Sequence, residues 1–269
     1  MVRLSGPSET HNRHKIAFTD QVRDVIRISD IVLCILDARY VEQSRVRELE
    51  DLVIDSGKVL VHVVNKTDLL SKEDLDKLKS IKDLSNPVFI SVKTKQGVGD
   101  LRRRIQILAK RVEGFEKVHV GVVGYPNVGK SVLLSFLARR AAAPSSPHSG
   151  FTKAIRKVRF AKGIHLLDAP GVIPPTESLF EGKDMKKLAL LGVHTPQNVK
   201  APDLILDEIV KNFPGVVEKF YELEESGDVE AILQELGQRW KILKKKGEVD
   251  EDKTARRVLV DWQEGRIAH

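Results

Sequence analysis

The sequence predicts a three-layer α/β fold, in which helices cover both faces of a doubly wound, mostly parallel sheet, followed by a small all-α domain. Short apolar runs alternate with amphipathic segments as far as about residue 174. The runs at 30–37 and 58–64 are almost continuously apolar, which is typical of parallel strands buried on both faces. After Pro174-Pro175 no strand-like run follows. We therefore expect domains at 1–174 and 175–269.

Each element follows from its local pattern. Strands are expected at 30–37, 58–64, 87–91, 117–123, 155–160 and 164–167, the last two as a pair. Helices are expected at 15–28, 44–54, 101–112, 130–137, 185–191, 204–213, 217–223, 229–243 and 254–262. One more helix is expected to begin after an N-cap at Ser71. In the first helix, the residues expected to face the sheet are Phe18, Val22, Val25 and Ile28. Repeated β-then-α order predicts the parallel sheet.

Composition restricts the class of protein. The 269 residues are 41% hydrophobic and 31% charged, enough to form a core. The net charge of +7 favours an anionic partner such as nucleic acid. A single cysteine, Cys34, excludes an intramolecular disulfide and multi-cysteine metal sites, and its apolar surroundings predict burial. No membrane-length apolar run or signal core is present, so we expect a soluble, cytoplasmic protein without a membrane partner.

Residues 124–131, G-Y-P-N-V-G-K-S, fit the phosphate-loop pattern G-x-x-x-x-G-K-[ST] at every fixed position. The loop follows a predicted strand and opens a predicted helix, as the motif requires. Lys130 would neutralise the β- and γ-phosphates during catalysis, and Ser131 would bind Mg²⁺. The expected nucleotide contacts of this segment are Tyr125, Pro126, Asn127, Val128, Gly129, Lys130, Ser131 and Val132.

A second phosphate-side element, D-A-P-G, ends the predicted strand at 164–167. Asp168 stands at the carboxyl end of that strand, where an acid can hold Mg²⁺ through water. Gly171 would donate its backbone N–H to the γ-phosphate. The tetrapeptide alone is weak, but its position some 40 residues after a phosphate loop makes it informative.

The base is predicted by residues 65–68, N-K-T-D, directly after the second strand. The Asp68 carboxylate can accept hydrogen bonds from guanine N1–H and the 2-amino group, and adenine offers neither donor. The Lys66 stem can lie over the base, and Asn65 can tie this loop to the phosphate loop. Ser91, Val92 and Lys93 resemble the S-A-K element, whose backbone contacts guanine O6. An ATP-using protein is therefore disfavoured.

The order of these motifs is permuted. N-K-T-D and S-V-K precede the phosphate loop, and D-A-P-G follows it, which is the order G4-G5-G1-G2-G3. With D-A-R at 37–39 and the closing segment 252–267, the chain resembles the circularly permuted GTPases of the YlqF/YawG group, which assist ribosome assembly. The resemblance implies a P-loop G domain that hydrolyses GTP to GDP and phosphate with Mg²⁺, binding the large ribosomal subunit or its precursor.

The resemblance also implies catalytic residues. Thr152, in G-F-T-K, is expected to contact Mg²⁺ and the γ-phosphate. Val172 stands near the position of the glutamine that orients water in small signalling GTPases. Either hydrolysis is slow until a partner acts, or another group positions the water: the family histidine falls at His14, although its context departs from the family, and His148 is a second candidate. Asn127 resembles the asparagine of potassium-activated GTPases, which implies a bound K⁺.

Basic clusters suggest how RNA would be contacted. They lie at 102–104, 139–140, 156–159 and 244–246. No motif with stacking aromatics is present, so we expect rRNA recognition through shape and charge. Two function classes remain open: a GTPase switch in large-subunit assembly, and a ribosome- or RNA-binding module that binds GTP with little intrinsic turnover. We expect a monomer off the ribosome.

Overall fold

A six-stranded sheet organises the computed structural model, which describes residues 20–112, 116–139, 156–172, 187 and 189–268. Its strands are β1 (Ile31–Asp37), β2 (Val59–Asn65), β3 (Val88–Phe89), β4 (Val118–Gly124), β5 (Arg156–Ala161) and β6 (Ile164–Asp168). The spatial order is β3-β2-β1-β4-β6-β5. All pairings are parallel except that between β5 and β6. The predicted fold class and the predicted strand pair are confirmed.

Ten helices accompany the sheet within the described ranges. Those of the first half are α1 (Asp20–Ile28), α2 (Val41–Ser44), α3 (Arg47–Asp55), α4 (Lys72–Lys79), α5 (Val98–Ala109) and α6 (Lys130–Arg139). Those of the second half are α7 (Pro202–Asn212), α8 (Val216–Tyr221), α9 (Val229–Arg239) and α10 (Glu251–Gln263). None of these helices is both long and apolar enough to cross a bilayer. Of the helix expected at 185–191, only residues 187 and 189–191 are described.

Helix α1 buries two of the residues that were expected to face the sheet, Val22 and Val25, but not Ile28. Val22, Val25 and Ile26 are buried, whereas Ile28 is 41% exposed. The prediction for Ile28 was wrong because its backbone lies at the end of the helix, where the chain turns into β1. Phe18 lies outside the described residues.

The helix expected at 44–54 begins only at Arg47, as α3, and a separate short helix, α2, ends at Ser44. The Ser44 hydroxyl accepts a hydrogen bond from the Asp37 backbone N–H at 3.0 Å and donates to the Tyr40 carbonyl oxygen at 2.7 Å. Arg45 is then extended, with ψ of 142°, and the helix restarts at Arg47. The expected apolar face, Val46, Leu49 and Val53, is buried as predicted.

The last predicted helix pair also differs at one boundary. Helix α9 ends at Arg239 rather than at 243, and Leu243 forms an isolated antiparallel bridge with Val249. The helix is terminated at Lys241, which has a φ of +56°, and the chain reverses at 244–247, where the Gly247 N–H donates to the Lys244 carbonyl oxygen at 2.9 Å. A short hairpin therefore separates α9 from α10, and its first residues, 240–243, are ones that the sequence predicted as helix.

The C-terminal helices share one continuous core with the sheet domain. Trp262 of α10 is 1% exposed, and its ring lies 5.1 Å from that of Phe213 and 6.2 Å from that of Tyr40. The Arg39 guanidinium lies over the same indole at 4.8 Å. Trp262 therefore packs against both parts of the chain. The domain boundary near residue 174 stays a prediction from the sequence, since the two parts share one core.

Cys34 lies in a buried cluster of polar side chains. Cys34, Glu50 and His62 bring three ligand atoms within 4.8 Å of one another. Two of the three are already engaged: His62 Nδ1 accepts from the Ser85 N–H at 2.8 Å, His62 Nε2 lies 3.1 Å from Glu50, and Arg45 pairs with Glu50 at 2.6 Å. Burial raises the pKa of the Cys34 thiol to about 12. The cluster is a structural ion pair, and Cys34 is buried as predicted.

We expect Trp262→Ala to lower the free energy of unfolding by about 3–5 kcal/mol, because it leaves a large cavity and removes three ring contacts. Urea unfolding measures the change. Leu204→Ala, at a side chain 47% exposed on α7, is the control and should change stability by less than about 0.5 kcal/mol. A loss below about 1 kcal/mol for the tryptophan variant would show that α10 is not held by this core.

Candidate nucleotide-binding site

The carboxyl ends of four parallel strands meet at one edge of the sheet. Asp37 is the register partner of Asn65, and Val122 is the partner of Asp168. The loops that follow β1, β2, β4 and β6 are D-A-R, N-K-T-D, the phosphate loop and D-A-P-G. Ligands bind in the crevice beyond such strand ends. The topology thus gathers the four sequence motifs at one place despite their permuted order.

The phosphate loop joins β4 to α6 without an intervening segment. Gly129 has a φ of +100°, and a Cβ there would overlap the Asn65 amide, so the position requires glycine. Lys130 is buried, and its ammonium donates to the Tyr125 carbonyl oxygen at 2.5 Å. The N–H groups at the start of α6 are suited to phosphate oxygens.

Burial lowers the pKa of Lys130 to about 8, although the negative charge of Asp168 acts in the opposite direction. Asp168 ends β6, opposite Val122 of β4, the strand that leads into the phosphate loop. Ser131 is exposed beside Lys130. A serine hydroxyl and a carboxylate are hard oxygen donors of the kind that Mg²⁺ prefers, so the described residues fit this ion.

D-A-P-G lies directly against the phosphate loop. The Val172 N–H donates to the Gly124 carbonyl oxygen at 3.0 Å. At Gly171 a Cβ would lie 2.9 Å from Pro126 Cγ, so only glycine allows this close approach. A change in either segment must therefore move the other.

Asn65 holds the base-recognition elements to the phosphate loop. Its amide Nδ2 donates to the Val128 carbonyl oxygen at 2.9 Å, and its Oδ1 accepts from the Val92 N–H at 3.3 Å. Ser91 is buried, and its hydroxyl accepts from the Thr94 N–H at 3.0 Å. One buried side chain thus joins N-K-T-D, S-V-K and the phosphate loop.

A cavity of about 400 Å³ opens between these loops. Its lining includes Asp68, half-buried, with Lys66 and Lys93. The remaining lining residues are Asn65, Leu69, Val92, Gly129, Val132, Gln263, Glu264 and Gly265. The last three are the final residue of α10 and the two residues that follow it, which the sequence did not predict to lie here. The only signal for them was the resemblance of segment 252–267 to a closing helix.

D-A-R is bonded to the base loop, N-K-T-D, through Asp37. The Asp37 carboxylate accepts hydrogen bonds from Arg39, at 3.0 Å, and from Lys66 Nζ, at 2.7 Å. Burial alone would raise the pKa of Asp37, but the charges of Arg39 and Lys66 hold it well below its usual range. Arg39 also donates to the Trp262 carbonyl oxygen at 2.9 Å. This network was not predicted from the sequence.

Several predicted site residues lie outside the described ranges. These are His14, His148 and Thr152. Asn127, expected near a K⁺ ion, has a φ of +60° and donates its amide N–H to the Gly192 carbonyl oxygen. The described site therefore contains the base and phosphate elements but not the residues expected to act on the attacking water.

Comparisons with known proteins agree with this geometry. A family profile described as 50S ribosome-binding GTPase matches residues 119–236. An uncharacterized GTP-binding protein of Methanocaldococcus jannaschii is 33% identical over 94% of the chain, and nucleolar GTP-binding protein 2 of Neurospora crassa is 32% identical over 92%. The chain spans 66% and 40% of these two relatives.

GNP-bound YlqF from T. maritima shares the fold, with a TM-score of 0.64, 18% identity, and coverage of 92% of this chain and 94% of that one. A GDP-bound YlqF structure gives a TM-score of 0.65. The motif order, the profile match and these relatives agree. The chain belongs to the circularly permuted GTPases. In this permuted GTPase the chain leaves D-A-P-G for the C-terminal helices, which return to the base cavity.

The low pKa of Lys130 predicts pH-dependent nucleotide binding. Bound phosphates favour the protonated lysine, so a neutral Lys130 must take up a proton when nucleotide binds. Affinity for GDP should be constant well below pH 8 and fall as the pH rises above it, by up to tenfold per pH unit. Fluorescence titration with a labelled GDP between about pH 7 and about pH 9 measures this. Affinity that stays constant over that range would contradict the assignment.

Proposed function

We propose that the protein binds GTP and hydrolyses it to GDP and phosphate as a switch in assembly of the large ribosomal subunit. The observation that carries the proposal is the double hydrogen bond of Asn65, at 2.9 Å and 3.3 Å, which fixes the guanine-type loops beside the phosphate loop. A phosphate loop alone would suit any nucleoside triphosphate. Its rigid connection to N-K-T-D favours guanine.

Base selection is assigned to Asp68, which lines the cavity. Its carboxylate would accept from guanine N1–H and the 2-amino group, while the backbone of Ser91, Val92 and Lys93 would contact O6. Adenine would leave the carboxylate without donors, which is costly in a partly buried site. This assignment supports GTP and GDP as the ligands.

Phosphate binding is assigned to the loop at 124–131 and to Gly171. Lys130 and the N–H groups that open α6 would hold the β- and γ-phosphates. Mg²⁺ would be held by Ser131, by Thr152, and by Asp168 through water, and it would offset charge that develops on the phosphates. Gly171 packs against Pro126. A γ-phosphate bound to Gly171 would therefore change the position of the chain that leads into the C-terminal helices.

Turnover in the isolated protein is expected to be slow. Val172 is buried, and its N–H is bonded to the Gly124 carbonyl oxygen, so it cannot orient a water molecule. His14, with His148 as the second candidate, and a K⁺ ion near Asn127 remain the groups proposed to complete catalysis. The same observation about Val172 favours the alternative function, a ribosome- or RNA-binding module that holds GTP with little intrinsic turnover.

The proposed partner is the large ribosomal subunit or its precursor, through rRNA. Relatives named nucleolar GTP-binding proteins and the ribosome-binding description of the family profile support this partner. On β5, Lys157 and Arg159 are exposed and available to phosphates. The tail tryptophans are engaged elsewhere, since Trp262 is buried and Arg257 covers Trp240 at 4.1 Å. The protein is proposed to act as a cytoplasmic monomer until it binds the particle.

Release of phosphate distinguishes the two functions. The switch function predicts that large-subunit particles with K⁺ raise steady-state phosphate release from GTP by at least about tenfold. Na⁺ in place of K⁺ and small-subunit particles are the controls. Release that stays at the basal rate under all conditions would favour the binding module.

Asp68→Asn tests the choice of base. We expect it to weaken GDP binding by at least about a hundredfold, because the amide cannot accept both donors of guanine. Xanthosine diphosphate, whose C2 carbonyl suits the amide, should bind the variant better than GDP does. Asp76→Asn is the control, since Asp76 is exposed on α4 and pairs only with Lys79 among described contacts. Unchanged preference among GDP, xanthosine diphosphate and ADP in the Asp68 variant would contradict the assignment.

A further inference from the structure

The base cavity is built from parts of the chain that are far apart in sequence. One side is formed by the N-K-T-D and S-V-K loops, and the facing side by the end of α10 at Gln263, Glu264 and Gly265. Gly265 is buried with a φ of +68°. A Cβ at this position would lie 3.3 Å from two methyl carbons of Leu69. The C-terminal segment therefore packs closely on the residue that follows Asp68.

Polar contacts hold this segment against the base loops. The Lys93 ammonium donates to the Gly265 carbonyl oxygen at 3.2 Å. From the other side, Arg39 donates to the Trp262 carbonyl oxygen at 2.9 Å, and Asp37 connects Arg39 to Lys66. The carbonyls at the end of a helix need partners outside it. Here the partners come from motifs that surround the nucleotide.

The same helix reaches the phosphate end of the site. Gln263 Nε2 donates to the carbonyl oxygens of Ala189, at 2.9 Å, and His194, at 3.1 Å. The loop that these bonds hold contains Gly192, whose carbonyl oxygen accepts from Asn127 of the phosphate loop. The end of α10 is thus connected to both ends of the nucleotide site.

We propose that Gln263–Gly265 form a wall of the pocket for the guanosine part of the nucleotide, so that nucleotide binding and docking of α10 stabilise each other. The proposal rests on the proposed binding of GTP and GDP. A nucleotide that contacts both sides of the cavity binds the docked arrangement better than the undocked one, and linkage requires the reverse effect to be equal. The C-terminal helices would therefore respond to the base as well as to the γ-phosphate.

Gly265→Ala tests the wall. A methyl group at this φ strains the backbone and presses on Leu69, so the segment should move away from the base loops. We expect the labelled GDP to dissociate at least about fivefold faster. Gly57→Ala is the matched control, because Gly57 has the same φ of +68° and no atom within 4 Å of its Cβ position. Gly57 lies just before β2 and does not line the cavity. The dissociation rate of this variant should equal that of the wild type.

The reverse effect is read by hydrogen exchange. The Gly265 N–H is bonded to the Trp262 carbonyl oxygen at 3.1 Å, and the Arg266 N–H to the Asp261 carbonyl oxygen at 2.9 Å. GDP should slow exchange at residues 264–267 in the wild type. If both glycine variants release GDP at the wild-type rate and GDP leaves this exchange unchanged, the wall is overturned while nucleotide binding stands. A folded wild type that binds no GDP would overturn both proposals.

Discussion

The site depends on the ion pairs that the buried carboxylate of Asp37 forms. This carboxylate lies at the carboxyl end of the central strand and pairs with Arg39 and Lys66, one in D-A-R and the other in the base loop. Removing one partner of such a buried pair typically costs about 3–5 kcal/mol, because the remaining charge stays uncompensated. Arg39 extends the network to the Trp262 carbonyl oxygen and indole ring. One carboxylate thus fixes the base loop and, through Arg39, the C-terminal helix.

The permuted order has a mechanical consequence. A parallel sheet brings its strand ends together whatever the order of the strands along the chain, so the nucleotide site survives permutation. What changes is where the chain goes next. D-A-P-G leads into the C-terminal helices, and α10 returns to the base cavity. A nucleotide bound between these loops would lie between the start and the end of the C-terminal segment, which suits a domain whose position depends on nucleotide state.

Sequence patterns predicted the strands, the crossovers and the motif loops because these follow from local periodicity and fixed spacing. They failed where a junction between two elements or a distant contact decides. Ile28 is exposed because of how α1 joins β1, and the break before Arg47 depends on the Ser44 hydroxyl capping the Asp37 N–H. The Arg39–Trp262 contact joins residues 223 positions apart. No local pattern contains that contact, and Gln263–Gly265, which line the cavity, follow Trp262 directly in the sequence.

We propose that the protein is a nucleotide-gated factor of large-subunit assembly. Co-sedimentation with ribosomal subunits at moderate salt is the most direct test of that function. Binding would be compared with a non-hydrolysable GTP analogue, with GDP and without nucleotide. We expect binding to the large subunit or its precursor to be strongest with the analogue, because a γ-phosphate would act on D-A-P-G and through it on the C-terminal helices. Equal binding in the three states, or none, would contradict the claim and leave a GTP-binding protein with a different target.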